Sequence, residues 1–340
     1  MLYQRLCCLA ILLAATSPAP AQEQDFSKVE IRTTPLAEGL YVLQGAGGNI
    51  TASVGADGAL LVDSEYAPLA DKIRAAIRGV GAGGTGGSAG GSNSGGGQPG
   101  SSARREAAVR YVINTHYHYD HTGANAAFAQ DGATLIAQDN VRTRLKTGGT
   151  AGNGGSITRE VPAVEATALP QVTFDHELTV HVNGDDVRAV HYPSAHTDGD
   201  SIVYFPQKGA VAMGDIYVRY GFPFIDINSG GSVQGMIAAC EDVLRLVPAD
   251  ARVVPGHGDV AGVADLREYL QMLKDTTAAV AAALKTGKTL AQMKEQHILG
   301  AWSERYSPPK AFVDTDAFTE TLYNSLRGHT ARHGGPTRSR

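Results

Sequence analysis

Between residues 29 and 260 the chain alternates short apolar runs with turns rich in Gly, Pro, Asn and Asp, the pattern of strands buried on one or both faces. Strands are expected at 29–32, 40–43, 50–54 and 59–62, with Ala56-Asp57-Gly58 as a turn. Helical spacing follows, with Leu69, Ile73 and Ile77 on one stripe of residues 67–78. Further strands are expected at 109–113, 135–136, 172–174, 178–182, 186–190, 201–205, 209–213 and 251–254. Asn183-Gly184 marks a hairpin turn, and helices are expected at 123–130, 138–145 and 232–246. Such alternation predicts an α/β sandwich of two sheets. Past residue 260 the period becomes helical. Leu266, Leu270, Leu273, Thr277, Val280 and Leu284 share a stripe, Gly287 ends it, and Thr289 with Gln292 caps the next helix. A last helix is expected at 316–326.

Segments without this periodicity set the domain plan. Residues 79–102 are nearly all Gly, Ser, Asn and Ala. They offer little apolar surface to offset ordering entropy, so they read as a flexible insertion within one domain. A second Gly-rich stretch, 147–156, is the better candidate for a lid. At the N-terminus, Arg5, the apolar run 8–15 and Ala19-Pro20-Ala21 form a three-part signal peptide, residues 1–21, with Gln22 as the new N-terminus. That run is too short to span a bilayer, so export to the periplasm without a membrane anchor is expected. The plan is then a domain at 22–260, a helical extension at 261–327 and a disordered tail at 328–340.

A formal net charge of −5 without a basic stripe argues against nucleic acid as a partner and leaves a small-molecule substrate. The sequence does not show an oligomeric state. Signal cleavage removes Cys7 and Cys8, so Cys240 stands alone in an apolar helical stretch and no internal disulfide is expected.

The densest chemistry lies at residues 114–121, N-T-H-Y-H-Y-D-H, directly after an apolar run. Neutral imidazole is the commonest transition-metal ligand, and an adjacent carboxylate suits zinc or iron. Other candidate ligands follow strands in the same manner: His196 after 187–190, Asp215 after 209–213, and His257 in Pro255-Gly256-His257-Gly258. Ligands at several strand ends can converge on one edge of a sheet.

The ordered set His116, His118, Asp120, His121, His196, Asp215 and His257, preceded by Asp63 in A-L-L-V-D, resembles the metallo-β-lactamase-fold hydrolases from about residue 31 to residue 257. That resemblance implies an αββα sandwich with a dinuclear metal site, usually two zinc ions. His116, His118 and His196 would hold one metal and Asp120, His121 and His257 the other. Asp215 would bridge them, and Asp63 would brace the ligand loop without touching metal. Asp198 and Thr197 are further candidates for such bracing. Asp120 is the candidate catalytic residue, ligating metal and handling the nucleophile's proton.

Aspartate at position 215, where antibiotic-hydrolysing members typically carry Cys or Ser, resembles the glyoxalase II-like and lactonase-like members. The expected activity is hydrolysis of an ester, lactone, thiolester or lactam carbonyl. The alternatives are an iron-dependent sulfur-oxidising enzyme of the same fold, a true β-lactamase, and a non-catalytic module, which would tolerate decayed ligands. The aromatic loop 216–231 is either a substrate wall or packing for the C-terminal helices.

Overall fold

The computed structural model describes residues 24–83 and 108–333. The expected signal peptide, most of the Gly-rich insertion and the last residues of the tail lie outside them.

Two sheets face one another. One has seven strands in the order β1 (Arg32–Ala37), β2 (Leu40–Gln44), β3 (Ile50–Gly55), β4 (Gly58–Val62), β5 (Val109–Ile113), β6 (Thr134–Gln138), β9 (Val172–Phe174). The other has six, β10 (Glu177–Val182), β11 (Asp185–His191), β12 (Ser201–Phe205), β13 (Ala210–Ala212), β14 (Arg252–Val254) and β15 (Ala261–Gly262). Leu40, Leu60, Ile113 and Ile136 of the first sheet meet Val187, Val203, Phe205 and Val254 of the second in an apolar inner layer. The helix Ala70–Gly83 and the short helix Asn125–Gln130 cover the outer face of the first sheet through Leu69, Ile73, Ile77 and Phe128. The helices Val233–Leu246, Val263–Lys285 and Thr315–His333 cover the second. The result is the expected αββα sandwich with C-terminal helices. Strands β4, β12 and β13 carry almost uninterrupted apolar runs because both of their faces are covered. Outlying β10 alternates exposed and half-buried positions.

Strands β4, β5 and β6 run parallel, as do β13 and β14. Their C-terminal ends therefore open onto one edge of the sandwich, where Asp63, residues 114–121, Asp215 and His257 emerge. At the Asn183-Gly184 turn both residues have positive φ (51° and 71°), as a two-residue type I′ hairpin requires.

Four elements differ from the sequence pattern. The first strand starts at Arg32, because Val29 and Ile31 pack into the core beneath Ala70–Gly83 rather than joining the ladder. Its Pro35 is tolerated there because β1 is an edge strand, with an irregularity between Pro35 and Ala37. The helix expected to stop at residue 78 runs on through Gly83, so the first residues assigned to the flexible insertion are helical. The last helix continues to His333, into the segment expected to be a disordered tail. Finally, the Gly-rich stretch 147–156 is the first half of a hairpin, β7 (Gly149–Gly152) with β8 (Thr158–Val161).

Candidate metal centre

The structure brings all seven candidate ligands to the open edge. His116 Nε2 lies 3.1 Å from His118 Nδ1, which lies 3.0 Å from His196 Nε2. His121 Nε2 and His257 Nε2 are 3.2 Å apart, with Asp120 Oδ2 at 3.7 and 3.2 Å from them. Asp215 lies between the two groups. Its Oδ1 is 3.2 Å from His121 Nε2 and 3.5 Å from His257 Nε2, while Oδ2 is 3.9 Å from His196 Nε2.

Outer hydrogen bonds fix which ring nitrogen faces inward. His121 donates Nδ1–H to Asp63 Oδ2 (2.8 Å), and His118 donates Nε2–H to Asp226 Oδ2 (3.1 Å). His196 donates Nδ1–H to the Phe224 carbonyl (2.9 Å). The Thr115 hydroxyl spends its proton on Asp63 Oδ2 (2.8 Å), so it accepts from His116 Nδ1–H at 3.0 Å. With those outer nitrogens protonated, His116, His118 and His196 turn lone pairs toward one another about 3 Å apart, an arrangement that repels unless a cation sits among them. Four ligands at a zinc–nitrogen distance of about 2.0–2.1 Å stand about 3.3 Å from one another in a tetrahedron, close to the spacing observed. Asp215 Oδ1 is buried without a hydrogen-bond partner. These residues therefore fit two cations, with His116, His118 and His196 able to hold one, Asp120, His121 and His257 the other, and Asp215 placed to serve both.

The electrostatics divide the same way. Burial, reinforced by the neighbouring imidazoles, holds His116 well below the ordinary histidine pKa, and burial with His118 holds His196 down at about 4. Burial also opposes charge on His121 and His257. There the carboxylates prevail: Asp215, Asp120 and Asp63 raise His121 well above its usual value, and Asp215 with Asp120 lifts His257 to about 9. In return His257 and His121 hold Asp215 far below the carboxylate range despite its burial.

The surrounding backbone is shaped to this cluster. Asp63 and Glu65 adopt φ of 68° and 59°, a left-handed conformation costing non-glycine residues about 1–3 kcal/mol, which places the Asp63 carboxylate under Thr115 N–H (2.7 Å) and His121. A Cβ on Gly256 would come within 2.0 Å of Asp215 Oδ1, and one on Gly48 within 2.1 Å of the His121 ring. Asn49 clamps the His257 loop, donating Nδ2–H to the carbonyls of Pro255 and Gly258, both at 2.8 Å.

Asp198 and Thr197, expected to brace ligands, bond elsewhere. Asp198 forms a two-point ion pair with Arg144 (2.6 Å each), and Thr197 donates its hydroxyl to Asp200 Oδ1 (2.5 Å). It is Asp200 that turns inward, fully buried, and ties the loop after His196 through Thr197 N–H (2.8 Å). Asp226 escaped the sequence pattern. Its Oδ2 accepts from His118 and from Tyr117 O–H (2.7 Å), and its Oδ1 accepts from Gly152 N–H (2.8 Å), so one carboxylate joins a ligand to the β7–β8 hairpin.

Above the cluster opens a cavity of about 520 Å³, within the range of small-molecule sites. The aromatic loop serves both expected purposes. Tyr220 and Phe224 line the cavity, while Phe222 stacks on Phe318 at 4.4 Å and on Tyr306 at 5.6 Å. Tyr220 lies beside the ligands, its ring centroid 5.7 Å from that of His257.

A sequence model described as the metallo-beta-lactamase superfamily matches residues 45–280. The chain belongs to that superfamily. It is 28% identical over 176 residues to a hydroxyacylglutathione hydrolase of Polaromonas sp. strain JS666, covering 51% of this chain and 57% of that protein. A probable hydroxyacylglutathione hydrolase of Schizosaccharomyces pombe is 29% identical over 160 residues, 46% of this chain and 51% of that protein. The chain thus spans little more than half the length of these curated relatives. Among solved structures, a metallo-beta-lactamase from Pontibacter korlensis superposes with a TM-score of 0.53 at 15% identity, covering 72% of this chain and 99% of that one. The DIM-1 metallo-beta-lactamase superposes with a TM-score of 0.51 at 14% identity, covering 73% and 99%. Such likeness carries the fold. Among the described residues no helix is long and apolar enough to cross a membrane.

Proposed function

We propose that this chain is an exported di-zinc hydrolase that cleaves an ester, lactone or thiolester at its carbonyl. The observation that carries the reading is the pair of candidate ligand groups around one carboxylate, Asp215, with the inward-facing ring nitrogens of His118, His121 and His196 fixed by outer hydrogen bonds. Cations held by these residues would supply Lewis-acid chemistry, lowering the pKa of a bound water from about 15.7 toward about 7 and polarising a carbonyl. The protein's own residues do the rest. Asp120, held well below the usual carboxylate range by His121 and His257 despite burial, stays ionised to orient the attacking water and take its proton. Tyr220 accepts Phe224 N–H at 3.4 Å, and burial keeps its own proton on, leaving its O–H to donate to a substrate oxygen. Tyr220 and Phe224 exclude bulk water from one side. The partial likeness to hydroxyacylglutathione hydrolases supports thiolester among the candidate bonds. Export rests on the three-part pattern of residues 1–21.

Metal analysis of the purified protein, paired with hydrolysis of a lactone, a thiolester and a chromogenic cephalosporin, tests this reading. Two zinc ions per chain and turnover of the lactone or thiolester are expected. A single iron with no turnover would overturn it and favour sulfur chemistry, and preferential cephalosporin turnover would make it a β-lactamase. Recovery from the periplasm with Gln22 as the first residue is the expected outcome for export.

A further inference from the structure

The walls of the cavity carry chemistry that the ligand cluster does not explain. The large apolar side chains most exposed among the described residues are Tyr119 (52%), Val172 (37%), Leu246 (52%) and Phe312 (56%), and two of these, Tyr119 and Phe312, stand on the cavity rim. Each extends an aromatic pair inward. Tyr119 packs on Tyr66 with centroids 5.7 Å apart, and Phe312 packs on Phe224 at 5.7 Å. Exposed aromatic surface costs solvation, and clustered at the mouth of a site it marks where an apolar ligand is covered.

The remaining side of the cavity is the β7–β8 hairpin, and it adds a single cation. Ala151 pairs with Arg159 across the ladder, so their side chains share a face. Ala151 is buried and both residues line the cavity, which sets Arg159 on the cavity side. Glu160 also borders the cavity, but its carboxylate is engaged by the Thr150 hydroxyl, from which it accepts at 2.8 Å. Among the described residues Arg159 has no hydrogen-bond or ion-pair partner, unlike Arg144, which is clamped by Asp198. Its charge reaches across the cavity to Tyr66, whose hydroxyl burial pushes up to about 12 against the pull of Arg159. The floor already matches its carboxylates to cations, so Arg159 is left over for the substrate.

We propose that the substrate is an acyl compound whose apolar chain lies between the Tyr66–Tyr119 and Phe224–Phe312 pairs and which carries one carboxylate, held by Arg159. This rests on the hydrolase reading and narrows it. A planar guanidinium suits a monovalent carboxylate bound at two points. Arg159 selects substrate and takes no part in bond cleavage.

The test compares three 4-nitrophenyl esters: the mono-ester of suberic acid, the octanoate, which has the same chain without the carboxylate, and the mono-ester of succinic acid, which has the carboxylate on a short chain. One charge-assisted hydrogen-bonded contact predicts kcat/KM for the suberate ester about tenfold above the octanoate ester, mostly through KM. In Arg159→Met that ratio falls to within about twofold, and in Phe312→Ser the advantage of the suberate over the succinate ester shrinks by a similar factor. Equal rates for the suberate and octanoate esters, or a suberate preference that survives Arg159→Met, would overturn the proposal while leaving the hydrolase reading standing. Failure to cleave any of the three counts against the hydrolase reading, and binding then decides the substrate class. The metal-loaded protein should bind 8-anilinonaphthalene-1-sulfonate, whose sulfonate stands in for the carboxylate, about fivefold or more tighter than uncharged N-phenyl-1-naphthylamine by fluorescence titration. Arg159→Met should erase that difference. An unchanged ratio would place the anion on the metal centre and overturn the role of Arg159.

Discussion

The two halves of the ligand cluster look alike in composition and are built on opposite principles. His116, His118 and His196 are braced by a hydroxyl, a carboxylate and a carbonyl that lie outside the cluster, and burial keeps His116 and His196 uncharged. The other half has its carboxylates inside. Asp120 and Asp215 stand among His121 and His257 and draw protons onto them. Without metal, His116 and His196 are ready to ligate at neutral pH, whereas His121 and His257 must first surrender protons. The difference teaches that one fold edge can offer two sites of unequal electrostatic character from a nearly common set of side chains.

The largest effects should come from the carboxylates that set the second half apart. In Asp120→Ala the kcat for the best substrate should fall by about 10²–10⁴-fold, the range for loss of a positioned acid–base group. Zinc content should drop toward one per chain. Retention of both zinc ions with near-normal kcat would mean that Asp120 neither ligates nor handles the proton.

Removing the outer braces should weaken one half at a time, each by about 10–100-fold in metal affinity. Asp63→Ala should loosen the half containing His121. Asp226→Ala should loosen the half containing His118 and, by freeing Gly152, also raise KM. Competition with a zinc-binding dye resolves two affinities in each variant. Equal weakening of both affinities by either substitution would erase the distinction between the halves.

The frame of this arrangement is written in the sequence in strong type. Each candidate ligand follows an apolar run, and buried parallel strands such as β4 and β13 produce such runs because both faces are covered. The braces are harder to see. Asp63 was legible because it directly follows a strand. Asp226 and Asn49 sit in irregular loops, and their roles depend on which backbone comes near after folding, from Gly152 for the first and Pro255 for the second. Asp198 and Asp200 are chemically equivalent on paper. Only the packing of Arg144 against one decides that the other turns inward. The β7–β8 hairpin was hidden by its glycines. Gly149 and Gly152 supply strand backbone without apolar side chains, so the alternation that betrays other strands is missing.

A smaller effect probes the protons themselves. Loading the metal-free protein at pH 7.5 should release protons from His121 and His257 but none from His116 and His196. Calorimetric titration in buffers of different ionisation enthalpy counts that release. His257→Ala should reduce it, and His196→Ala should leave the count per bound ion no lower than wild type. The reverse result would invert the assignment of the halves.

The most delicate consequence is a stability profile of the metal-free protein that bends in opposite directions for the two halves. The folded pKa of His257 lies near 9, above the unfolded histidine value of about 6.5, so its contribution is fully present below about pH 6.5 and is lost as pH rises through 9. The folded pKa of His196 lies near 4, below the unfolded value. On acidification the unfolded chain therefore takes up the proton first, and this contribution, present above about pH 6.5, is lost as pH falls toward 4. Other buried groups titrate in the same span, Asp200 with a pKa raised to about 8 by burial among them, so the profile of one protein mixes their effects. Subtracting the melting temperatures of His257→Asn and His196→Asn from that of the wild type, pH by pH in chelator, isolates each histidine. The first difference should shrink between about pH 6.5 and 9 and the second between about 6.5 and 4. Two differences that shrink on the same side would show that the carboxylates do not divide the cluster as the structure implies.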